Sequence, residues 1–294
     1  RAMQALGEHR GARYRFGAGV EEILVRGGRV CGVRLSGGEE IPSDAVVFNG
    51  DSAALAGGLL GEDVSGAVPT TPRSSRSLSA VTWCVAAAPK GFPLQHHNVF
   101  FSNDYPREFR SVFEDRRTSP APTVYLCAQG RSAKRDAPAP GGPEPMLILI
   151  NAPADGDRGW PAGSSQSSEE LQARMLEVTE ACGLTLAPEE IEAGQCTTPT
   201  EFAECFPGNG GALYGRANHG PFAIFERAST KLAIEGLYQA GGSAHPGAGV
   251  PMATLSGRLA AARLLQDRVG LGATASGASI TVAKTVAPSP MPGA

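Results

Sequence analysis

Residues 237–265 read LYQAGGSAHPGAGVPMATLSGRLAAARLL, and they divide into three parts. Leu237, Tyr238, Gln239 and Ala240 make a short apolar strand. Gly241, Gly242, Gly247 and Gly249 then make a loop almost without side chains. Pro251 suits the first turn of a helix, where its missing N–H would have had no partner. From Met252 the spacing predicts a helix, with Met252, Leu255, Leu259, Ala262 and Leu265 recurring at three- and four-residue intervals along one face. Ser256, Gly257, Ala260 and Ala261 are small and let that helix lie close against a sheet. A strand, a glycine loop and a helix N-terminus together form a site for an anion. The helix start offers unpaired N–H groups and roughly +0.5 charge. No Lys or Arg stands between Gly236 and Gly257, so an anion here is held by backbone rather than by a salt bridge. The plainer alternative is a glycine-rich turn ahead of a core helix.

Outward from this stretch, residues 2–8 read as a helix end closed by Gly11, and residues 14–16 as a short strand. Residues 20–35 read as two strands around a Gly27-Gly28 turn, a hairpin signal. Gly37-Gly38 turns the chain again into residues 39–42. Residues 45–48, AVVF, are an apolar strand ended by Asn49-Gly50-Asp51. Asp51 has two readings: a cofactor contact, and an N-cap for a helix from Ser52 onward. Between residues 52 and 231 the composition changes. Residues 77–87 read as a long strand with Val81, Trp83 and Val85 on one face, and residues 98–102, 123–127 and 146–151 as further strands. Residues 136–145, DAPAPGGPEP, are a loop. Ser167-Ser168-Glu169-Glu170 is a capping box whose helix carries Leu171, Met175 and Val178 on one face, and Thr198-Pro199-Thr200-Glu201 is a second, opening a short helix to Phe206. Several strands with two or three helices predict an α+β unit inserted between two parts of another domain. The scattered Pro, Ser and Ala of residues 276–294 predict a disordered tail.

The 294 residues allow about two domains. A net charge of −3, from 26 basic and 29 acidic residues, argues against nucleic acid as a partner. Six cysteines without a C-x-x-C pair or zinc-ligand spacing read as free thiols in a reducing cytosol. No apolar run approaches the ~20 residues needed to span a bilayer. The opening at Arg1 reads as the middle of a helix, which suggests a truncated reading frame. No G-x-S-x-G elbow occurs, which argues against an α/β-hydrolase. No metal site is expected: His96 and His97 are adjacent on a predicted strand, which would point them to opposite faces. His219 reads as a loop residue, and His245 lies inside the glycine loop, where it shapes the loop or hydrogen-bonds a cofactor. Phe100-Phe101, Trp160 and the aromatics of residues 222–225 suit the core, with an apolar tunnel or a membrane contact as the alternative.

The segment GGSAHPGAGVPMATLSGRLAA resembles the C-terminal flavin-binding segment of the phytoene desaturase family of carotenoid desaturases. The resemblance implies FAD bound near Gly241, Gly242, His245, Gly247, Gly249 and Val250, with the helix N-terminus facing the flavin. In the family the order strand, small meander, return strand of residues 13–51 also belongs to the flavin domain, with Val20 near the adenine and Asp51 in reach of the cofactor. The family's G-x-G-x-x-G precedes that part. Here Gly17-Ala18-Gly19 is followed by Val20, Glu21 and Glu22, and Gly247-Ala248-Gly249 by Val250, Pro251 and Met252, so neither completes the fingerprint.

The implied fold is α/β. Residues 1–51 and 232–268 would be parts of a Rossmann-like FAD domain missing its G-x-G-x-x-G unit, residues 52–231 an inserted α+β substrate domain, and residues 269–294 a tail. FNGD at 48–51 and GALYGR at 211–216 look most like the branch that desaturates hydroxylated or methoxylated carotenoids, the 1-hydroxycarotenoid 3,4-desaturases or methoxyneurosporene dehydrogenases. The resemblance implies removal of two hydrogens from a C40 carotenoid, by an enzyme held peripherally on the inner face of the cytoplasmic membrane. The alternatives are another flavin oxidoreductase of the superfamily, amine-oxidase-like or retinol-saturase-like, and an inactive C-terminal fragment that needs its N-terminal half.

Overall fold

The computed structural model describes residues 1–131, 142–160, 167–217, 223–270 and 280–283. A first helix, α1 (Ala2–His9), leads into an antiparallel meander of β1 (Val20–Arg26), β2 (Arg29–Leu35) and β3 (Glu40–Pro42). Gly27 and Gly28 make the hairpin turn with φ of +58° and +78°, a region that costs glycine nothing. Residues 14–16, expected as a strand, carry no ladder; Tyr14 and Phe16 instead stack on one another, centroids 6.2 Å apart.

The chain then enters β4 (Ala45–Phe48) and a short helix α2 (Ser52–Ala56). Next come β5 (Ser79–Ala87), β6 (His97–Phe100), α3 (Tyr105–Phe113), β7 (Val124–Ala128) and β8 (Glu144–Ala152). They are followed by α4 (Ser168–Ala181), α5 (Pro188–Glu192), β9 (Gln195–Thr197) and α6 (Pro199–Cys205). These five strands form one antiparallel sheet in the order β6-β7-β8-β5-β9. Val81, Trp83 and Val85 point from β5 into its core, together with Leu126, Met146, Ile148, Ile150, and Leu171 and Met175 of α4. Each such side chain, removed from water, contributes about 1.5–3 kcal/mol. Both expected capping boxes are present, on α4 and α6. Of the loop expected at 136–145, residues 136–141 lie outside the described residues, and Glu144 and Pro145 already belong to β8.

The chain returns as β10 (Leu237–Gln239), α7 (Val250–Gly270) and β11 (Ile280–Ala283). β10 and β11 both pair with β4 in parallel, one on each side. The expected disordered tail is therefore corrected at Ile280–Ala283: its β-branched Ile280, Thr281 and Val282 complete a three-stranded sheet. Of the small residues of α7 expected against the sheet, Ser256 and Ala260 lie there, Gly257 is half-buried and Ala261 is exposed. Ser256 and Ala260 are buried, and Leu264 packs on Tyr238 and Ala45. The apolar face stays outside, with Met252, Leu255, Leu259 and Leu265 between 37% and 58% exposed, so α7 is not a core helix. The chain is thus a mixed α/β protein.

Candidate functional site

Because β4 and β10 run in parallel, the loops at their C-terminal ends emerge side by side, the edge at which ligands bind in open α/β sheets. The two loops are stitched together. The Asn49 side-chain amide donates to the Ala240 carbonyl (3.0 Å). Gln239, fully buried, turns its amide toward the Gly50 carbonyl (3.3 Å) and the Ser52 hydroxyl (3.0 Å). Gly241, Gly247 and Gly249 have φ of +119°, +142° and +96°, so the loop between β10 and α7 takes a path that side chains would strain. A Cβ on Gly241 would stand 2.9 Å from the Asn49 amide nitrogen. The N–H of Gly241 donates to the Ser256 hydroxyl at 2.7 Å, which pins the loop to the second turn of α7.

Asp51 is the knot of the site. One carboxylate oxygen caps α2 by accepting from the Ala53 N–H (2.9 Å). The other accepts from the Asn209 amide (2.8 Å) and the Ser243 hydroxyl (3.0 Å). The capping reading of Asp51 is thus what the geometry contains, and the same carboxylate joins three loops. Asn209 sits in a turn where Gly208, Gly210 and Gly211 have φ of +101°, +67° and +82°. At Gly208 a Cβ would fall 2.6 Å from the Ala54 nitrogen, so only glycine lets the turn lie on α2.

Among the described residues, two sizeable clefts open on this loop cluster. One, of about 300 Å³, lies between Asn49, Gly50, Asp51, Gly242 and Ser243 on one side and Phe202, Phe206 and Tyr214 on the other. The second, of about 410 Å³, is lined by Gly249, Ala248 and Arg227 and closed by Tyr214, Phe109 and Phe113. Arg227 corrects the expectation that charge at the loop comes from backbone alone. The residue is 5% exposed, and its guanidinium donates to the carbonyls of Gly242 (2.8 Å), Arg216 (2.9 Å) and Tyr214 (3.1 Å). Burial lowers its pKa, and the negative charge of Asp51 acts in the opposite direction.

The other expected residues are dispersed. His245 donates its backbone N–H to the Ala228 carbonyl at 2.9 Å, which helps fix the loop. Val250 begins α7 and is 82% exposed. Val20 begins β1 and packs on the cluster around Ile23, Phe48 and Leu60, away from both clefts. His219 and Phe222 lie outside the described residues. Arg227, Ser243 and Asn209 escaped the sequence reading, and Ser256 was read as a small packing residue, without its bond to Gly241. Only Asn209 had a legible signal, the glycines on either side of it.

Over residues 1–265 the chain matches the family described as flavin containing amine oxidoreductase. The chain belongs to that family. Its curated relatives include the hydroxyneurosporene desaturase of Rubrivivax gelatinosus, 50% identical over 270 residues, which are 90% of this chain and 50% of that protein. They also include a 1-hydroxycarotenoid 3,4-desaturase of a Flavobacterium species, 31% identical over 255 residues, 85% of this chain and 50% of that protein. The chain spans about half the length of the curated relatives it matches. An oxidoreductase from Methanosarcina mazei shares the fold with a TM-score of 0.50 at 15% identity, over 88% of this chain and 52% of that one. The cofactor of the family is FAD. The loop cluster fits a flat flavin: Gly249 has open space where a Cβ would stand, Gly242 forms a bare wall of the smaller cleft, and a buried cation stands behind the loop.

Proposed function

We propose that this chain carries the ring-facing and substrate-facing residues of an FAD-dependent carotenoid desaturase, acting on 1-hydroxy or methoxy C40 carotenoids to introduce a 3,4 double bond. The parallel sheet with α7 is read as part of a Rossmann-like FAD domain, and the five-stranded sheet with its helices as an α+β substrate domain. The observation that carries the substrate class is a row of aromatic rings. Phe113 and Phe109 line the larger cleft beside Gly249. From there Phe109, Tyr105 and Phe101 follow at centroid spacings of 4.9 and 5.5 Å, ending at rings 43% and 63% exposed. A rigid, flat, apolar polyene suits such a track from surface to cleft, and burying it there is favourable at about 25 cal/mol per Å².

When bound, FAD supplies the acceptor for the electron pair that leaves with one of the two hydrogens. Gly241, Gly242, Gly247 and Gly249 would hold its ring by main chain, with His245, Val250 and Asp51 as further contacts, and Val20, away from both clefts, toward the adenine end. The N-terminus of α7 and Arg227 give that wall a fixed positive potential, which stabilises negative charge developing beside it without reorganisation. The aromatic row orients the polyene and keeps water from it. Incubating the protein with FAD and a 1-hydroxylated carotenoid, against amine substrates in parallel, tests the reading. A product with one more conjugated double bond is expected, and amine turnover without carotenoid turnover would refute it.

Among the described residues no helix is long and apolar enough to cross a membrane. The proposal puts the protein on the inner face of the cytoplasmic membrane. Phe101 and Tyr105, beside exposed Arg107 and Arg110, supply the amphipathic contact. Flotation with anionic liposomes checks this, and absence from the lipid fraction would remove it.

A further inference from the structure

His96, His97 and Cys127 stand apart from the flavin reading, on the edge of the five-stranded sheet. The expectation that adjacent histidines diverge does not hold, because β6 begins at His97 and His96 precedes it, free of strand alternation. Their rings meet edge to face, centroids 4.4 Å apart. Cys127 lies directly opposite His97 in the β6–β7 register, and the Ala128 N–H donates to the His96 carbonyl at 2.9 Å. One donor atom from each of the three side chains lies within 4.8 Å of the other two.

We propose that His96, His97 and Cys127 form a site for a borderline divalent transition metal of the zinc class. The distances suit it. With metal–nitrogen and metal–sulfur bonds of about 2.05 and 2.3 Å, a tetrahedral centre separates its N and S donors by about 3.6 Å. The His96 Nε2 and the Cys127 Sγ already stand 3.7 Å apart. The outer groups suit it too. The Nδ1 of His96 lies 2.8 Å from the Arg131 carbonyl, so it carries the proton and turns Nε2 toward the thiol as an acceptor. The Nδ1 of His97 has the Tyr125 hydroxyl at 2.8 Å as its own partner. Arg131 is in turn held by the buried carboxylate of Glu144, at 2.7 Å. The site is thus built on two paired strands with a supported ligand, while exposed His97 leaves one side open to solvent for a fourth ligand. On binding, the Cys127 S–H bond breaks, a metal–sulfur bond forms, and the thiol proton passes to buffer.

The test uses the full 294-residue chain, prepared without a histidine tag, stripped with chelator and titrated with Co²⁺ in the absence of oxygen. One equivalent should give a thiolate-to-cobalt charge-transfer band with the visible bands of a four-coordinate ion, and Zn²⁺ should displace it. Cys127→Ser should abolish the band. His97→Gln, at an exposed position that folding does not depend on, should weaken Co²⁺ at least about tenfold. A variant with Ser at the exposed Cys84, Cys182 and Cys205 should keep the band. No charge-transfer band in the parent chain, an unchanged band in His97→Gln, or loss of the band in the triple variant would each overturn the proposal.

Discussion

Asp155 offers a quantitative test of how the segments around the aromatic row are held. Its carboxylate, 6% exposed, receives two guanidinium groups side-on. Arg73 donates through Nε and Nη2, both at 2.6 Å, and Arg116 at 3.0 and 2.6 Å. Arg116 follows α3 in a left-handed conformation, φ +55°, so the cluster fixes the end of the helix that bears the aromatic rings. Burial alone would raise the Asp155 pKa; the two guanidinium groups outweigh it and hold the carboxyl at about 2, against an ordinary 3.8. The folded state therefore binds this proton less readily than the unfolded chain. The stabilisation is complete above the unfolded value and disappears as pH falls through about 2. The difference corresponds to about 2 kcal/mol after allowance for screening at Arg73, whose side chain is 42% exposed. Asp155→Asn keeps the shape but leaves Arg116, 15% exposed, without its counter-charge, which should cost about 3 kcal/mol at neutral pH. Urea unfolding of both proteins from about pH 7 down to about pH 3 measures both effects. The variant should unfold at lower urea at neutral pH, and its stability should fall less steeply in acid. Equal midpoints at neutral pH, or equal acid slopes, would refute the reasoning.

Asp51→Ala removes the cap of α2 and strips acceptors from Asn209 and Ser243, so it should lose about 2–3 kcal/mol in denaturant unfolding, and a loss under about 0.5 would contradict the knot. Gly241→Ala meets both a φ of +119° and the Asn49 amide at 2.9 Å, and should cost about 2 kcal/mol, read as a fall of several degrees in melting temperature. Burial, reinforced by Glu201 and Glu169, pushes the Cys196 thiol up to about 11. An aromatic disulfide reagent near pH 8 should therefore label Cys84, Cys182 and Cys205 quickly and reach Cys196 only on unfolding, with equal rates as the contrary result.

The parts of the fold legible in sequence are those written in local chemistry. Gly27-Gly28 announced a hairpin, Ser167 and Glu170 a capped helix, and Gly241 to Gly249 a bare loop, because each depends on a few adjacent residues. The placement of α7 was only half legible. Its leucines have helical spacing, but the buried face is chosen by the close approach that Ser256 and Ala260 permit and by the Ser256 bond to Gly241. Ile280–Ala283 was hidden by the Pro, Ser and Ala around it, although ITVA is itself a strand-forming run. Arg227 was not legible at all. It reaches the loop through three backbone carbonyls that only the tertiary fold brings together. His96 and His97 misled for the opposite reason, since alternation was applied one residue beyond the strand's true start.

The most direct test of the flavin wall is a fluorescence titration of FAD with the purified chain and with its Gly249→Asp variant. The substitution adds a side chain at a φ of +96°, where a Cβ meets no protein atom within 4 Å, and directs its carboxylate at the proposed ring position. The expected result is saturable quenching by the parent chain and an affinity at least about tenfold weaker in the variant, equivalent to about 1.4 kcal/mol. Equal affinities, or no binding by either protein, would contradict the claim that this loop holds the cofactor.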